Sequence, residues 1–136
     1  MKTVRYLLFT IAAIGFVLVV STPPNSQADS SQEGWYTADQ ANNGHQLFNN
    51  YCAQCHMPDL TGAMGPALVG NQFLSSWGTL ADLITFEHKN MPANSPGTLS
   101  NKELAEITAY ILMKNGFPDG SSPLIIGAGN TRALKP

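Results

Sequence analysis

Only two cysteines occur among the 136 residues, and both stand in Cys52-Ala53-Gln54-Cys55-His56. Two thiols three positions apart on a helical turn face the same side. Such a pair can form thioethers to the two vinyl groups of one porphyrin. The next residue, His56, is then placed to bind the iron through an imidazole nitrogen. C-x-x-C-H is the attachment sequence for c-type haem. Two other chemistries use paired thiols. A thiol–disulfide centre needs a strand-helix-strand pattern around the motif, and none is seen. A structural zinc site needs four ligands. The remaining histidines, His45 and His88, are not paired.

Haem iron attached in this way is commonly held by a His and a Met. Met57 follows His56 directly and cannot easily cross to the other face of a porphyrin. Met64 is eight residues from His56, just before Gly65-Pro66. Met113 belongs to an apolar helical stripe and reads as core. Met91 precedes Pro92, which pushes it toward extended geometry and frees its side chain from the preceding helix. Thirty-five residues separate it from His56, enough chain to pass around a macrocycle. Met91 is therefore the expected sixth ligand. His88, three residues earlier, is the alternative.

Three helices are expected to position these groups. The first runs about Ala38 to Asn50, with Thr37 and Gln40 in capping-box spacing. Ala41, Gly44, Leu47 and Phe48 fall on its apolar side. The second runs about Leu80 to Lys89, capped by Thr79, with Leu80, Leu83 and Ile84 inward. The third runs about Asn101 to Asn115, opened by Ser100 and Glu103 and stopped by Gly116 and Pro118. Leu104, Ile107, Thr108 and Ile111 follow the i, i+3, i+4, i+7 rule. No strand pattern is present. Residues 57–78 and 91–99 form long irregular segments, which a compact domain tolerates poorly unless something other than secondary structure organises them. A large bound cofactor would do so.

The ends of the chain read differently. Lys2 and Arg5, the apolar stretch Leu7 to Val20 and Ser26-Gln27-Ala28 have the layout of a secretory signal peptide over residues 1–28. The alternative is an uncleaved anchor, but fourteen residues span only about 21 Å against a hydrocarbon core of about 30 Å. Residues 29–36 read as a linker, 37–118 as the haem domain and 119–136 as a tail that wraps the domain or meets a partner. The sequence carries 7 basic and 9 acidic residues, and loss of Lys2 and Arg5 with the leader leaves a formal −4. That balance gives no field for nucleic acid. It also gives no concentrated positive patch.

These features together resemble a monohaem class I c-type cytochrome. The carriers of the resemblance are Gly44-His45-Gln46-Leu47-Phe48, the 52–56 motif, Leu60-Thr61-Gly62, Gly65-Pro66-Ala67-Leu68, Phe73-Leu74 with Trp77, Met91-Pro92, and Leu104 to Phe117. The chain is most similar to cytochrome c subunits and domains serving quinoprotein alcohol dehydrogenases. The resemblance implies an all-α fold: a small class I cytochrome c, three main helices with long loops wrapped around one covalently bound haem c. It implies that Gly44, Phe48 and Tyr110 meet where the first and last helices cross. The Pro66 carbonyl would accept a hydrogen bond from His56, Trp77 would donate to a haem propionate, and Met91-Pro92 matches the ligand pair. Cofactor binding would then fall to Cys52, Cys55, His56, Pro66, Trp77 and Met91, with His56 and Met91 on the metal. The resemblance also implies electron passage at the haem edge near the thioethers. Without a positive patch, docking is expected to be mainly apolar around the 52–56 edge, with Ala53, Met57 and Ala63 as contacts.

The function implied is one-electron transfer without catalysis. The haem would cycle between an extracytoplasmic dehydrogenase-type donor and a respiratory-chain acceptor, an oxidase or another cytochrome. The expected location is periplasmic or otherwise extracytoplasmic, with membrane attachment only if the N-terminal segment is retained. Two alternatives stay open. One is a haem peroxidase or gas-binding protein with a labile sixth ligand. The other is an obligate cytochrome subunit of a dehydrogenase complex.

Overall fold

A computed structural model describes residues 34–127 and 129–135. The leader and most of the linker lie outside the described residues. Five helices follow one another: α1 Ala38–Tyr51, α2 Ala53–His56, α3 Asn71–Ser75, α4 Leu80–Asn90 and α5 Asn101–Lys114. Among the described residues there is no strand, only an isolated antiparallel bridge between Thr79 and Ala133. The fold is all-α, as expected. No helix among the described residues is long and apolar enough to cross a membrane.

The three long helices begin where their caps dictate. Thr37, Thr79 and Ser100 each accept from a backbone N–H three residues on, and Gln40, Asp82 and Glu103 each reach back to the cap N–H. Each box satisfies two groups that a helix start leaves orphaned. The short helices α2 and α3 have no side-chain cap, which is why periodicity alone does not reveal them.

α1 and α5 pack against each other and form the main helix pair. Gly44 makes this possible. A Cβ there would overlap the backbone carbonyl of Glu106 on α5. Gly costs a helix about 1 kcal/mol relative to Ala, and the close crossing offsets that cost. Phe48, four residues on, is fully buried and packs at 5.4 Å from Tyr110 between ring centroids. The core continues through Leu104, Ile107 and Ile111 of α5 to Leu83 and Ile84 of α4.

The tail wraps the domain. Arg132 and Asn130 offer backbone carbonyls to the N–H groups of Leu80 and Ala81, at 2.9 and 2.8 Å. Together with the Thr79 cap these carbonyls satisfy the first turn of α4. Leu124 exchanges two hydrogen bonds with the Gln40 side chain, and Leu124 and Leu134 are buried. Residues 35 and 36 pair with 117–120 through Trp35 N to Pro118 O and Gly120 N to Tyr36 O. Trp35 packs edge-on against Phe117, and the Arg132 guanidinium lies 3.7 Å above its ring. Of the apolar residues 124–126, only Ile125 is exposed.

Candidate functional site

The helices and loops enclose one large cavity of about 910 Å³. Its wall is made from the end of α1, the 52–56 turn, residues 64–69, α3, α4, the 91–94 turn and α5. Cys52, Cys55, His56, Pro66, Trp77 and Met91 all line it. His88 does not, and it is exposed on the far side of α4.

The cysteine pair is held by a tight turn. Cys52 caps α1, and Cys55 N and His56 N both donate to its carbonyl. The two sulfurs are not bonded to each other. Burial, and then the nearby Glu87 and Cys55, push the Cys52 thiol up to about 12. A thiol–disulfide centre relies on a lowered thiol pKa, so Cys52 is poorly suited to that chemistry.

His56 is buried, and its Nδ1 lies 2.7 Å from the Pro66 carbonyl oxygen. A carbonyl only accepts, so Nδ1 carries the proton. The lone pair is then on Nε2, the atom left for a metal. This is the arrangement by which a second partner fixes a ligating imidazole. The loop delivering Pro66 is stitched to the haem motif by Gly65 N to Cys55 O at 2.9 Å and Gly62 N to His56 O at 3.0 Å. Gly65 is required beside the ring: a Cβ there would stand 2.7 Å from His56 Cε1.

Met91 is the C-cap of α4 and leaves the helix in extended geometry, φ −121° and ψ 149°. Its thioether is half-buried on the cavity wall. Trp77 is held by its backbone to Leu74 and packs between Phe73 and Phe86. Its Nε1 is the one buried side-chain nitrogen or oxygen among the described residues without a hydrogen-bond partner. A buried indole N–H wants an acceptor. A carboxylate of a cavity-filling group would provide one.

One wall residue escapes a sequence reading based on motifs. Glu87 is buried and is, among the described residues, the only one with a carboxylate, ammonium or guanidinium group that lines the cavity. Burial pushes its carboxyl up to about 7, against a smaller opposing effect of the Thr108 hydrogen bond. Thr108 Oγ1 lies 2.7 Å from both Glu87 Oε2 and Leu104 O. A hydroxyl has one proton to give. Thr108 can give that proton to an ionised Glu87, which is the opposing effect, whereas a neutral Glu87 can donate to Thr108 and leave the hydroxyl proton for Leu104 O. The signal was present in the periodicity, since Leu80, Leu83, Ile84 and Glu87 lie at i, i+3, i+4 and i+7.

The donor set therefore fits a covalently attached haem: two thiols, an oriented imidazole, a thioether and an orphaned N–H on a mainly apolar wall that also carries the buried Glu87. Residues 39–111, 73 of the 136, match the family described as cytochrome C oxidase, cbb3-type, subunit III. The chain belongs to this cytochrome c family. Its cofactor is covalently bound haem c, for which Cys52, Cys55 and His56 form the attachment motif. Cytochromes c of this family are electron-transfer proteins. Among solved structures, the sulfane dehydrogenase SoxCD from Paracoccus pantotrophus is similar to the chain at 24% identity and a TM-score of 0.45. The likeness covers 74% of this chain and 60% of that one, so the chain spans less than two thirds of that neighbour's length.

Proposed function

We propose that this cytochrome c is a one-electron carrier with His/Met axial ligation. Haem c supplies the Fe(III)/Fe(II) couple when bound. Cys52 and Cys55 hold it through thioethers. His56 binds iron through Nε2, with its tautomer set by the Pro66 carbonyl. Met91 takes the sixth position, and Trp77 donates to a propionate. The observation that carries this reading is the 2.7 Å contact between His56 Nδ1 and Pro66 O in a cavity that Met91 also lines. Protein ligands on both sides of the iron leave no open position for a substrate.

The wider assignment belongs to the same reading. Residues 1–28 are an export signal, 29–36 a linker, 37–118 the haem domain and 119–136 its tail. The protein works outside the cytoplasm. Its donor is an extracytoplasmic dehydrogenase, of which the quinoprotein alcohol dehydrogenases are the class that the sequence resemblance suggests. Its acceptor is an oxidase or another cytochrome of a respiratory chain. Among the described residues, the exposed ones that line the cavity, Tyr51, Gln54, Met64, Pro66, Ala67, Gln72, Ser76, Phe86, Ala93 and Asn94, include no charge. That uncharged rim supports docking with weak salt dependence, because screening acts on charge steering.

Mass spectrometry of the exported protein tests the reading. A mass equal to the chain from residue 29 plus one haem is expected. A mature protein of bare polypeptide mass contradicts it.

A further inference from the structure

Residues 66–70 join two parts of the site. At one end Pro66 O meets the His56 imidazole. At the other, Gly70 is the N-cap of α3, the helix that leads to Trp77. This stretch has no helix or strand of its own. Leu68 N ties it inward to Leu60 O at 2.9 Å. Its other tie is a single side chain. Asn115, the C-cap of α5, accepts from Gly70 N at 2.9 Å through Oδ1. Its Nδ2 donates to Leu68 O at 2.9 Å and to Ile111 O at 2.8 Å.

An amide offers two donor hydrogens and an oxygen with two lone pairs. Asn115 uses both kinds of group at once, on a donor and an acceptor two residues apart in the loop. Gly70 sits at φ 89°, and α3 has no capping side chain of its own. Among the described residues no other hydrogen bond joins 66–70 to α5. α5 in turn is fixed to α1 at the Gly44 crossing.

We infer that Asn115 is a positioning residue for the haem site, holding the Pro66 carbonyl and the start of α3 in register with the α1–α5 pair. It sets the His56 hydrogen bond and the Trp77 donor together while touching neither. Its residue type is specified. Aspartate would keep the acceptor for Gly70 N but aim a carboxylate oxygen at two carbonyls. Alanine would remove all three bonds. The inference rests on His56 as iron ligand and Trp77 as propionate donor.

The test uses the haem-loaded, reduced protein and follows exchange of the His56 Nδ1 and Trp77 Nε1 protons by NMR, with the midpoint potential as a second readout. Gly116→Ala is the control. Gly116 has φ 80° and a Cβ there would meet nothing within 4 Å, so alanine strains the end of α5 without removing the amide. In Asn115→Ala, after correction for global stability, both protons are expected to exchange roughly tenfold faster or more, and the potential shifts. In Gly116→Ala both stay at the wild-type values. Asn115→Asp, which retains the Gly70 bond, is read by the same criteria if the alanine variant does not accumulate. Wild-type exchange and potential in the Asn115 variants, or equal changes in Gly116→Ala, overturn the inference. A wild-type spectrum in which His56 does not ligate iron defeats the functional reading instead.

Discussion

The Nδ1 nitrogen of His56 and the carbonyl oxygen of Pro66 lie 2.7 Å apart, and the flat face of Gly65 closes the ring from the side. The backbone thus selects the tautomer while the missing side chain of Gly65 gives the imidazole its place. The two residues act as a pair, because the proline has no N–H to compete and its ring stiffens the loop. Gly65→Ala puts a methyl group 2.7 Å from His56 Cε1. Overpacking of this kind costs ~1–3 kcal/mol. The expected outcome is lower haem incorporation and a weakened His56 Nδ1–H bond, seen as faster exchange of that proton in the reduced protein. Wild-type loading with an unchanged ring proton would show that the loop gives way instead.

Gly44→Ala sets two effects against each other. Alanine gains about 1 kcal/mol of helix propensity. It also places a Cβ on the Glu106 carbonyl, which is backbone and cannot rotate away. The clash wins, because relieving it means separating α1 from α5 along the main helix contact. Denaturant unfolding should show a net loss of roughly 1–2 kcal/mol, read as a lower midpoint concentration at unchanged slope. A stabilised variant would mean that the crossing is looser than these positions indicate.

Glu87 gives the protein a pH dependence of definite sign. Its carboxyl is raised by burial from 4.5 to about 7. The folded state therefore holds a proton that the unfolded chain has released. The stability tied to this proton is fully present below about pH 4.5, falls as pH rises, and is lost once pH passes about 7. The amount at stake is on the order of 3 kcal/mol. Glu87→Gln should remove that slope, since the amide can still donate to Thr108 Oγ1. Thermal unfolding of both proteins from pH 4.5 to 8 checks it. Parallel curves would mean that Glu87 is not what titrates.

Much of the fold was legible because its signals are local. Thr37 with Gln40 and Ser100 with Glu103 mark helix starts to the residue, and the 104, 107, 108, 111 stripe marks the face of α5 that is buried. The crossing at Gly44 was implied by the family resemblance, and the propensity cost of a helical glycine agreed with it. Other features depend on contacts that no local pattern encodes. α3 is five residues long, begins at a glycine and has no side-chain cap. The tail's role was open from the sequence, because its bonds to Leu80 and Ala81 come from the backbone carbonyls of Arg132 and Asn130. Residue type says nothing about a backbone carbonyl. The gathering of Cys52, His56, Pro66, Trp77 and Met91 on one cavity follows from the path of residues 57–78 and 91–99, which a sequence shows only as irregular chain.

His56/Met91 ligation is decided by the optical spectrum of the oxidised Met91→Ala protein. A thioether ligand stabilises ferrous iron and raises the potential. The wild-type protein is expected to show the weak sulfur-to-iron charge-transfer band. In Met91→Ala that band should vanish, the midpoint potential should fall, and the reduced protein should bind carbon monoxide. If the band and the potential survive the substitution, Met91 is not the ligand and the iron takes its sixth ligand elsewhere.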